Sequence, residues 1–193
     1  MTNIVIFASG NGSNFEKIME NIEAGYLSGI NVIGLYTDNH EAFAIERARR
    51  FRLPVHIFNR KSFNDKEDYE TAVLKQLTRD QVEWIVLAGY MKLLGPTLLN
   101  AYPGRILNIH PSILPSFPGK NAVGQALSYG CRVTGATVHY VDSGMDTGKI
   151  IDQMSCPVYE DDTEETLQLR IQNLEYELYP RVINKIIQVR SSQ

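Results

Sequence analysis

Several residue types and patterns are scarce in this chain, and each absence narrows its possible class. The 193 residues include two cysteines, Cys131 and Cys156, and neither stands at a spacing typical of a metal site or a redox motif. We therefore expect two structural, buried thiols and a reducing, cytoplasmic compartment. No apolar run approaches the roughly 20 residues that span a bilayer, and no basic segment precedes the first apolar run. A membrane partner and a signal peptide are therefore not expected.

An excess of charge of one sign is also missing. The formal net charge is −3, which argues against a nucleic-acid partner. Hydrophobic residues make up 44% of the chain and charged residues 21%, which is typical of a soluble globular enzyme or binding domain. Composition thus leaves small molecules as the expected ligands.

Strand and helix patterns alternate through the first half of the chain. The predicted strands are residues 3–8, 31–37, 54–58 and 84–88. Apolar residues at helical spacing predict helices over 15–24, 42–50 and around 69–77. Apolar strands separated by amphipathic helices indicate an α/β fold, with a mostly parallel, twisted sheet, helices on both faces and a Rossmann-like N-terminal half.

The second half departs from this alternation. Residues 133–141 and 149–159 are two longer strand candidates, and the loop 142–148 between them is rich in Asp and Gly. This pattern predicts an antiparallel hairpin appended to the parallel sheet. Because no linker, repeat or low-complexity segment divides the chain, we expect residues 1–193 to form a single domain.

A long C-terminal helix is predicted after the hairpin. Asp162 precedes Glu165 by three residues, which is a signal for the N-terminal cap of a helix. Pro180 lies inside the helical pattern and is expected to kink the helix, because proline has no N–H and crowds the preceding turn. The apolar stripe of the helix consists of Leu167, Ile171, Leu174, Leu178 and Val182.

The stretch from residue 106 to residue 119 carries the clearest signal for chemistry. It begins as a buried strand, and Asn108 and His110 share one face because successive strand side chains point to opposite sides. An amide beside an imidazole suits the stabilisation of a carbonyl oxygen that gains negative charge. A lone histidine at a strand end is usually structural. The paired amide and the stiff, proline-rich continuation favour a functional site here.

A second candidate site is the loop of residues 9–14, Ser-Gly-Asn-Gly-Ser-Asn, between the first strand and the first helix. Small residues let a ligand approach the backbone, and the free N–H groups of a helix N-terminus favour an anion. The loop lacks the third glycine of the dinucleotide fingerprint and the Gly-Lys-Ser/Thr ending of a P-loop. It is therefore either a phosphate site or a tight turn with Ser13 or Asn14 as the helix cap.

Three further features each have two interpretations. Asp142 and Asp146 are either turn residues, or one of them is a carboxylate that orients the histidine, and the sequence does not choose between them. Glu175 lies on or beside the apolar stripe of the last helix, where a rim position in solvent is somewhat favoured. Residues 86–94 form either an apolar slot for a flat ring or a buried strand that runs into a loop. The other histidines, His40, His56 and His139, are interpreted as structural or exposed, with His139 the best functional candidate among them.

Together these motifs resemble the phosphoribosylglycinamide formyltransferases, the folate-dependent enzymes of purine synthesis. The resemblance runs from the 9–14 loop to Glu175, and it is most specific at residues 108–115, with Asp146 at the expected distance downstream. It implies that the amine of glycinamide ribonucleotide attacks the formyl carbon of 10-formyltetrahydrofolate directly, with no covalent enzyme intermediate and no metal. These two small molecules are the implied partners, and the protein is expected to be a monomer or a weak homodimer.

The resemblance also implies a role for each matching residue. Asn108 and His110 are expected to stabilise the tetrahedral oxyanion, and Asp146, rather than Asp142, is expected to pair with His110 and assist proton transfer. The implied substrate-binding residues are Gly12, Ser13 and Asn14 for the ribose phosphate, with Gln172 and Glu175 near the glycinamide amine. The implied folate-binding residues are Tyr90, Met91, Lys92, Leu93, Leu94, Asp142, Gly144 and Asp146.

The family pattern also carries expectations for the chain as a whole. Residues up to about 100 are expected to form a phosphate-binding half, and residues from about 101 to 193 a catalytic and folate-binding half. A cis peptide bond is expected between Leu114 and Pro115. Lys92 stands where bacterial relatives carry arginine, and a lysine cannot form the same planar fork. Residues 120–124 lack a histidine that is common in relatives, which puts the polar contacts there in question.

Other formyl-transferring enzymes use the same three catalytic residues. A formyltetrahydrofolate deformylase transfers the group to water and usually carries an N-terminal regulatory domain, which we do not expect because the first strand begins at residue 3. Methionyl-tRNA and sugar-nucleotide formyltransferases carry a further C-terminal domain, which we also do not expect. A non-catalytic nucleotide-binding module would need none of Asn108, His110 and Asp146. We therefore predict formyl transfer to glycinamide ribonucleotide, with the deformylase as the alternative.

Overall fold

The computed structural model describes residues 1–190, and side chains through residue 187. Within this range there are seven strands and six α-helices. The strands are β1 (Thr2–Phe7), β2 (Ile30–Thr37), β3 (Val55–Ile57), β4 (Trp84–Leu87), β5 (Ile106–His110), β6 (Val133–Tyr140) and β7 (Ile150–Pro157). The helices are α1 (Ser13–Glu23), α2 (Ala44–Arg50), α3 (Lys66–Arg79), α4 (Pro96–Ala101), α5 (Ala122–Tyr129) and α6 (Glu164–Arg190).

The strands form one sheet in the order β3-β2-β1-β4-β5-β6-β7. The strands from β1 to β5 pair in parallel, whereas β6 pairs antiparallel with both β5 and β7. This arrangement confirms the predicted mostly parallel sheet with an antiparallel hairpin. Because β1 lies between β2 and β4, the chain leaves β1 in one direction and later returns on its other side. Such a reversal opens a crevice at the carboxyl ends of the strands, where ligands bind in open α/β sheets.

Helices cover both faces of the sheet, as predicted. Strand β4 is buried along its whole length and β1 nearly so, as expected for parallel strands with a helical layer on each side. One apolar cluster packs α1, α2 and α6 against the sheet, and a second packs α3 and α4 against the opposite face. The sheet thereby becomes a rigid platform for the loops at its carboxyl edge.

The C-terminal helix was predicted, but its start was wrong by one position. Helix α6 begins at Glu164, and the Thr163 hydroxyl accepts the backbone N–H of Thr166 at 3.3 Å, so Thr163 is the cap. Asp162 instead receives two hydrogen bonds from the Arg170 guanidinium, at 2.6 and 2.8 Å, which fix the turn before the helix. The helix continues through Pro180 as a single element.

Two short helices, α4 and α5, were not predicted. Their six and eight residues are too few to establish a 3.6-residue period in the sequence. Local chemistry defines them instead: Pro96 occupies the first turn of α4, and the Asn121 side chain caps α5. Cys156 is buried as expected, whereas Cys131 is only half-buried. Among the described residues, no helix is both long and apolar enough to cross a membrane.

Candidate functional site

A cavity of about 510 Å³ opens at the carboxyl ends of β1, β4 and β5. Every residue that was assigned a role from the sequence lines this cavity. They are Gly12, Ser13, Asn14, Tyr90, Met91, Lys92, Leu93, Leu94, Asn108, His110, Asp142, Gly144, Asp146, Gln172 and Glu175. The fold therefore brings them together, although their individual roles stay predictions.

His110, at the end of β5, is buried and contacts an acceptor at each ring nitrogen. Its Nε2 lies 2.8 Å from the backbone carbonyl oxygen of Phe117, to which it donates. Its Nδ1 lies 3.3 Å from Oδ2 of Asp146. Because a carbonyl and a carboxylate both accept, the doubly protonated imidazolium is the form that satisfies both contacts. Asp142 instead stabilises its own loop, because its Oδ1 accepts hydrogen bonds from the Gly144 N–H and the Thr147 hydroxyl.

Asp146 is held in place by the loop on the other side of the cavity. Its backbone has φ +56°, in the left-handed region, and its Oδ2 accepts the Gly119 N–H at 2.8 Å. Burial alone would raise the pKa of Asp146, but the neighbouring His139, the Gly119 hydrogen bond and His110 outweigh burial and lower it. The side chain is therefore a carboxylate at neutral pH and stabilises positive charge on the imidazole.

Asn108 is oriented by a histidine that sequence reasoning interpreted as structural. His139 lies directly opposite Asn108 in the antiparallel pair of β5 and β6, and its Nε2 is 3.2 Å from Nδ2 of Asn108. The His139 Nδ1 lies 2.8 Å from the carbonyl oxygen of Tyr140 and donates to it, and Nε2 also lies 3.6 Å from Oδ1 of Asp146. Nε2 therefore accepts from Asn108 in the neutral ring and donates to Asp146 in the protonated ring. One Asn108 N–H therefore points at His139, and the second N–H stays available to a ligand oxygen.

The 9–14 loop has a backbone shape that requires glycine at one position. Gly12 is the N-cap of α1 with φ +75°, and a Cβ there would lie 2.6 Å from the Cβ of Ala44. No side chain caps the helix, so the interpretation of Ser13 or Asn14 as its cap is wrong. Arg47 fixes the loop from outside, because its Nε and Nη2 both donate to Asn11 at 2.9 Å. Because no side chain caps α1, its first N–H groups are available to an anion.

Glu175 is buried rather than on a solvent-exposed rim, so the rim interpretation is wrong. Helix α6 packs against α1, and the Asn14 Nδ2 donates to Oε2 of Glu175 at 3.0 Å. Burial raises the pKa of Glu175 to about 7, and the Asn14 hydrogen bond opposes only part of this effect. Among the described side chains, Oδ1 of Asn14 is one of two buried polar atoms without a hydrogen-bond partner. This end of the cavity thus holds one buried acceptor without a partner, beside the Glu175 carboxyl.

Residues 86–94 are a buried strand end that runs into a loop, and this loop places residues 90–94 along one wall of the cavity; their binding of a flat ring stays a prediction. The Tyr90 ring packs edge-on against Phe7, and its hydroxyl is 2.6 Å from the Tyr69 hydroxyl. Burial raises the pKa of Tyr90, so its hydroxyl stays protonated. The Lys92 ammonium lies 3.8 Å from Oδ2 of Asp38 and is half exposed. The wall is therefore apolar with one cation at its edge.

Some residues that line the cavity had no role assigned from the sequence, and they include His139, Gln168 and residues 120–123. His139 would have followed from the cross-strand register, because it pairs with Asn108, but the pairing of β5 with β6 was not predicted. The bond between Leu114 and Pro115 is cis, as the family resemblance implied. No group of three or more His, Cys, Asp or Glu in the described part of the chain is arranged to hold a metal ion.

Comparison with known proteins connects this geometry to a family. The sequence profile of the formyl transferase family matches residues 2–183. The chain is 49% identical to the phosphoribosylglycinamide formyltransferase of Bacillus subtilis, over 97% of this chain and 95% of the relative. It is 36% identical to the Escherichia coli protein of the same name, over 94% of this chain and 85% of the relative.

Solved structures agree with the sequence comparison. The crystal structure of phosphoribosylglycinamide formyltransferase from Bacillus halodurans matches with a TM-score of 0.93 and 48% identity, covering 96% of this chain and 95% of that one. Glycinamide ribonucleotide transformylase 1 from Symbiobacterium toebii matches with a TM-score of 0.93 and 38% identity, covering 95% and 86%. On sequence and fold together, the chain belongs to the formyl transferase family and groups with its phosphoribosylglycinamide formyltransferases.

Proposed function

We propose that the protein transfers the formyl group of 10-formyltetrahydrofolate to the amine of glycinamide ribonucleotide. One observation carries the proposal: a glycine loop at a helix N-terminus, a His110–Asp146 pair and an apolar wall all line one cavity. The glycine loop suits a phosphate, the His110–Asp146 pair suits charge that develops on a carbonyl, and the apolar wall suits a flat ring. The names of the relatives support the same acceptor and the same group transfer.

In this mechanism the amine nitrogen attacks the formyl carbon, and the formyl oxygen becomes an oxyanion. The available Asn108 N–H and a His110 N–H donate to that oxygen. Because His110 Nε2 already donates to Phe117, donation to the substrate requires that this hydrogen bond be exchanged. The carboxylate of Asp146 orients the imidazole and takes part in moving the proton from the attacking nitrogen to N10. Collapse of the oxyanion then breaks the bond between the formyl carbon and N10, and tetrahydrofolate departs.

The binding roles follow from the two ends of the cavity. The N–H groups of Gly12, Ser13 and Asn14 bind the phosphate, while Glu175, with Gln172 nearby, accepts hydrogen bonds from the glycinamide end. The pterin ring lies between the 90–94 wall and residues 142–146. Residues 1–100 then mainly hold the phosphate, although they also supply this wall, and residues 101–193 supply the catalytic groups.

A single assay tests the proposal and its alternative. Purified protein is mixed with 10-formyltetrahydrofolate, with and without glycinamide ribonucleotide, and formation of tetrahydrofolate is followed. We expect product only when the ribonucleotide is present. Release of formate in its absence would instead identify a deformylase, and failure to react under either condition would refute an enzymatic role.

A further inference from the structure

Ser9 connects the loop that follows β1 to the loop that follows β4, and the mechanism above does not use it. Its main-chain N–H donates to the Gly89 carbonyl at 3.1 Å, and its carbonyl accepts from Asn39 Nδ2 at 3.1 Å. Its hydroxyl donates to Oδ1 of Asp38 at 2.6 Å and accepts the Met91 N–H at 2.9 Å. The three polar groups of this buried residue therefore make four hydrogen bonds, which join the ends of β1, β2 and β4.

Asp38 extends the connection to a second residue of the wall. Its side chain is buried, and its other oxygen, Oδ2, lies 3.8 Å from the Lys92 ammonium. The wall is thus held at two successive residues: at Met91 through the main chain, and at Lys92 through charge. Both links depend on the Ser9 hydroxyl, directly or through the Asp38 carboxylate that it holds in place.

We propose that Ser9 is a positioning residue that fixes the 90–94 wall relative to the 9–14 loop and thereby sets the distance between the two subsites. The proposal rests on the proposed function, since it takes the loop as the ribonucleotide subsite and the wall as the folate subsite. Ser9 acts through Met91 and Asp38, because its hydroxyl is committed to both.

The two subsites should respond unequally to loss of this hydroxyl. In Ser9→Ala, the Met91 N–H and the Asp38 carboxylate each lose a hydrogen bond, so the wall loses its direct link at Met91 and the support of its link at Lys92. The main-chain bonds from Ser9 to Gly89 and Asn39 remain and continue to hold the 9–14 loop. The folate subsite should therefore weaken much more than the ribonucleotide subsite.

Isothermal calorimetry on the full chain measures this difference, with tetrahydrofolate and glycinamide ribonucleotide as separate probes. For Ser9→Ala we expect the Kd of tetrahydrofolate to rise on the order of 10-fold, and that of the ribonucleotide less than about 3-fold. Ser155→Ala, an exposed serine of edge strand β7, is the matched control and should leave both values unchanged. If Ser9→Ala fails to fold, Ser9→Cys takes its place with the same expected direction, because a thiol is a weak donor and acceptor.

Two results would overturn the proposal. One is a tetrahydrofolate Kd for Ser9→Ala within about 2-fold of the original chain. The other is an equal loss of affinity for both probes together with a lower melting temperature, which indicates general structural damage. If the original chain transfers formyl groups and binds both probes, either result rejects the role of Ser9 alone. If it binds neither probe and transfers nothing, the proposed function and this inference fail together.

Discussion

The two ends of the cavity differ in how their polar side chains are satisfied. At the end formed by β5 and β6, His110, Asp146 and His139 all have protein partners, and Asn108 is oriented by one of them. At the end formed by α1 and α6, a buried oxygen of Asn14 has no partner, and the pKa of the buried Glu175 is raised to about 7. The first, which we call the saturated end, leaves only one N–H of Asn108 for a ligand, whereas the second, the unsatisfied end, holds a buried acceptor without a partner.

This difference suggests that the two ends contribute to different steps: the saturated end to catalysis, and the unsatisfied end to substrate binding. Groups that are already oriented by the protein stabilise developing charge with little reorganisation, which at this end is limited to the exchange of the hydrogen bond between His110 and Phe117, and this favours the transition state. Buried acceptors without donors carry a cost that a ligand with N–H or O–H groups removes, which favours binding. Changes at the saturated end should therefore lower kcat, and changes at the unsatisfied end should mainly raise KM.

The largest expected effect is that of Asp146→Asn, which breaks the saturated end. An amide has nearly the shape of the carboxylate but cannot stabilise positive charge on His110 or accept a proton in the same way. We expect kcat to fall by on the order of 100-fold or more at saturating substrates, with smaller changes in either KM. Asp152→Asn, on β7 outside the cavity, is the matched control. A kcat for Asp146→Asn near that of the original chain would show that the cluster does not serve the reaction.

The next largest effect is expected for Asn14→Ala at the unsatisfied end. The substitution removes a buried acceptor and leaves the Glu175 carboxylate without its neighbouring donor. We expect the KM of glycinamide ribonucleotide to rise on the order of 30-fold, with little change in kcat or in the KM of the folate. Asn21→Ala, about two turns further along the same helix and outside the cavity, controls for damage to α1. An increase confined to the KM of the folate would contradict the assignment of this end.

The site residues that could be predicted from the sequence are those whose position depends on local structure, and the others depend on long-range contacts. Asn108 and His110 were placed on one face by the period of a strand, which is a local property. His139 was missed because its position depends on the register between β5 and β6, and that pairing is set by long-range contacts. The choice of Asp146 over Asp142 likewise required the family resemblance, because it depends on a hairpin loop reaching across to Gly119.

Glu175 shows a second limit of sequence patterns. Helical periodicity located it beside the apolar stripe of α6, but periodicity does not say what covers the neighbouring face. The packing of α6 against α1 buries the carboxylate beside Asn14, and this contact joins residues 161 positions apart. The parallel sheet was predictable because its strands are continuously apolar, whereas burial of single polar residues was not.

The smallest effect is expected from pH, and it tests whether Glu175 binds its substrate as a carboxylate. With a pKa of about 7, the carboxylate fraction in the free protein rises as the pH rises through neutrality. The substrate amine titrates in a nearby range, so we compare the original chain with Glu175→Gln, in which only the amine titration remains. The ratio of their kcat/KM values for glycinamide ribonucleotide should increase by about 10-fold from pH 6 to pH 8, with a midpoint near 7. The exposed Glu177→Gln, on the same helix, should give a ratio that does not vary with pH. A flat ratio for Glu175→Gln would mean that the unsatisfied end does not recognise its ligand through charge.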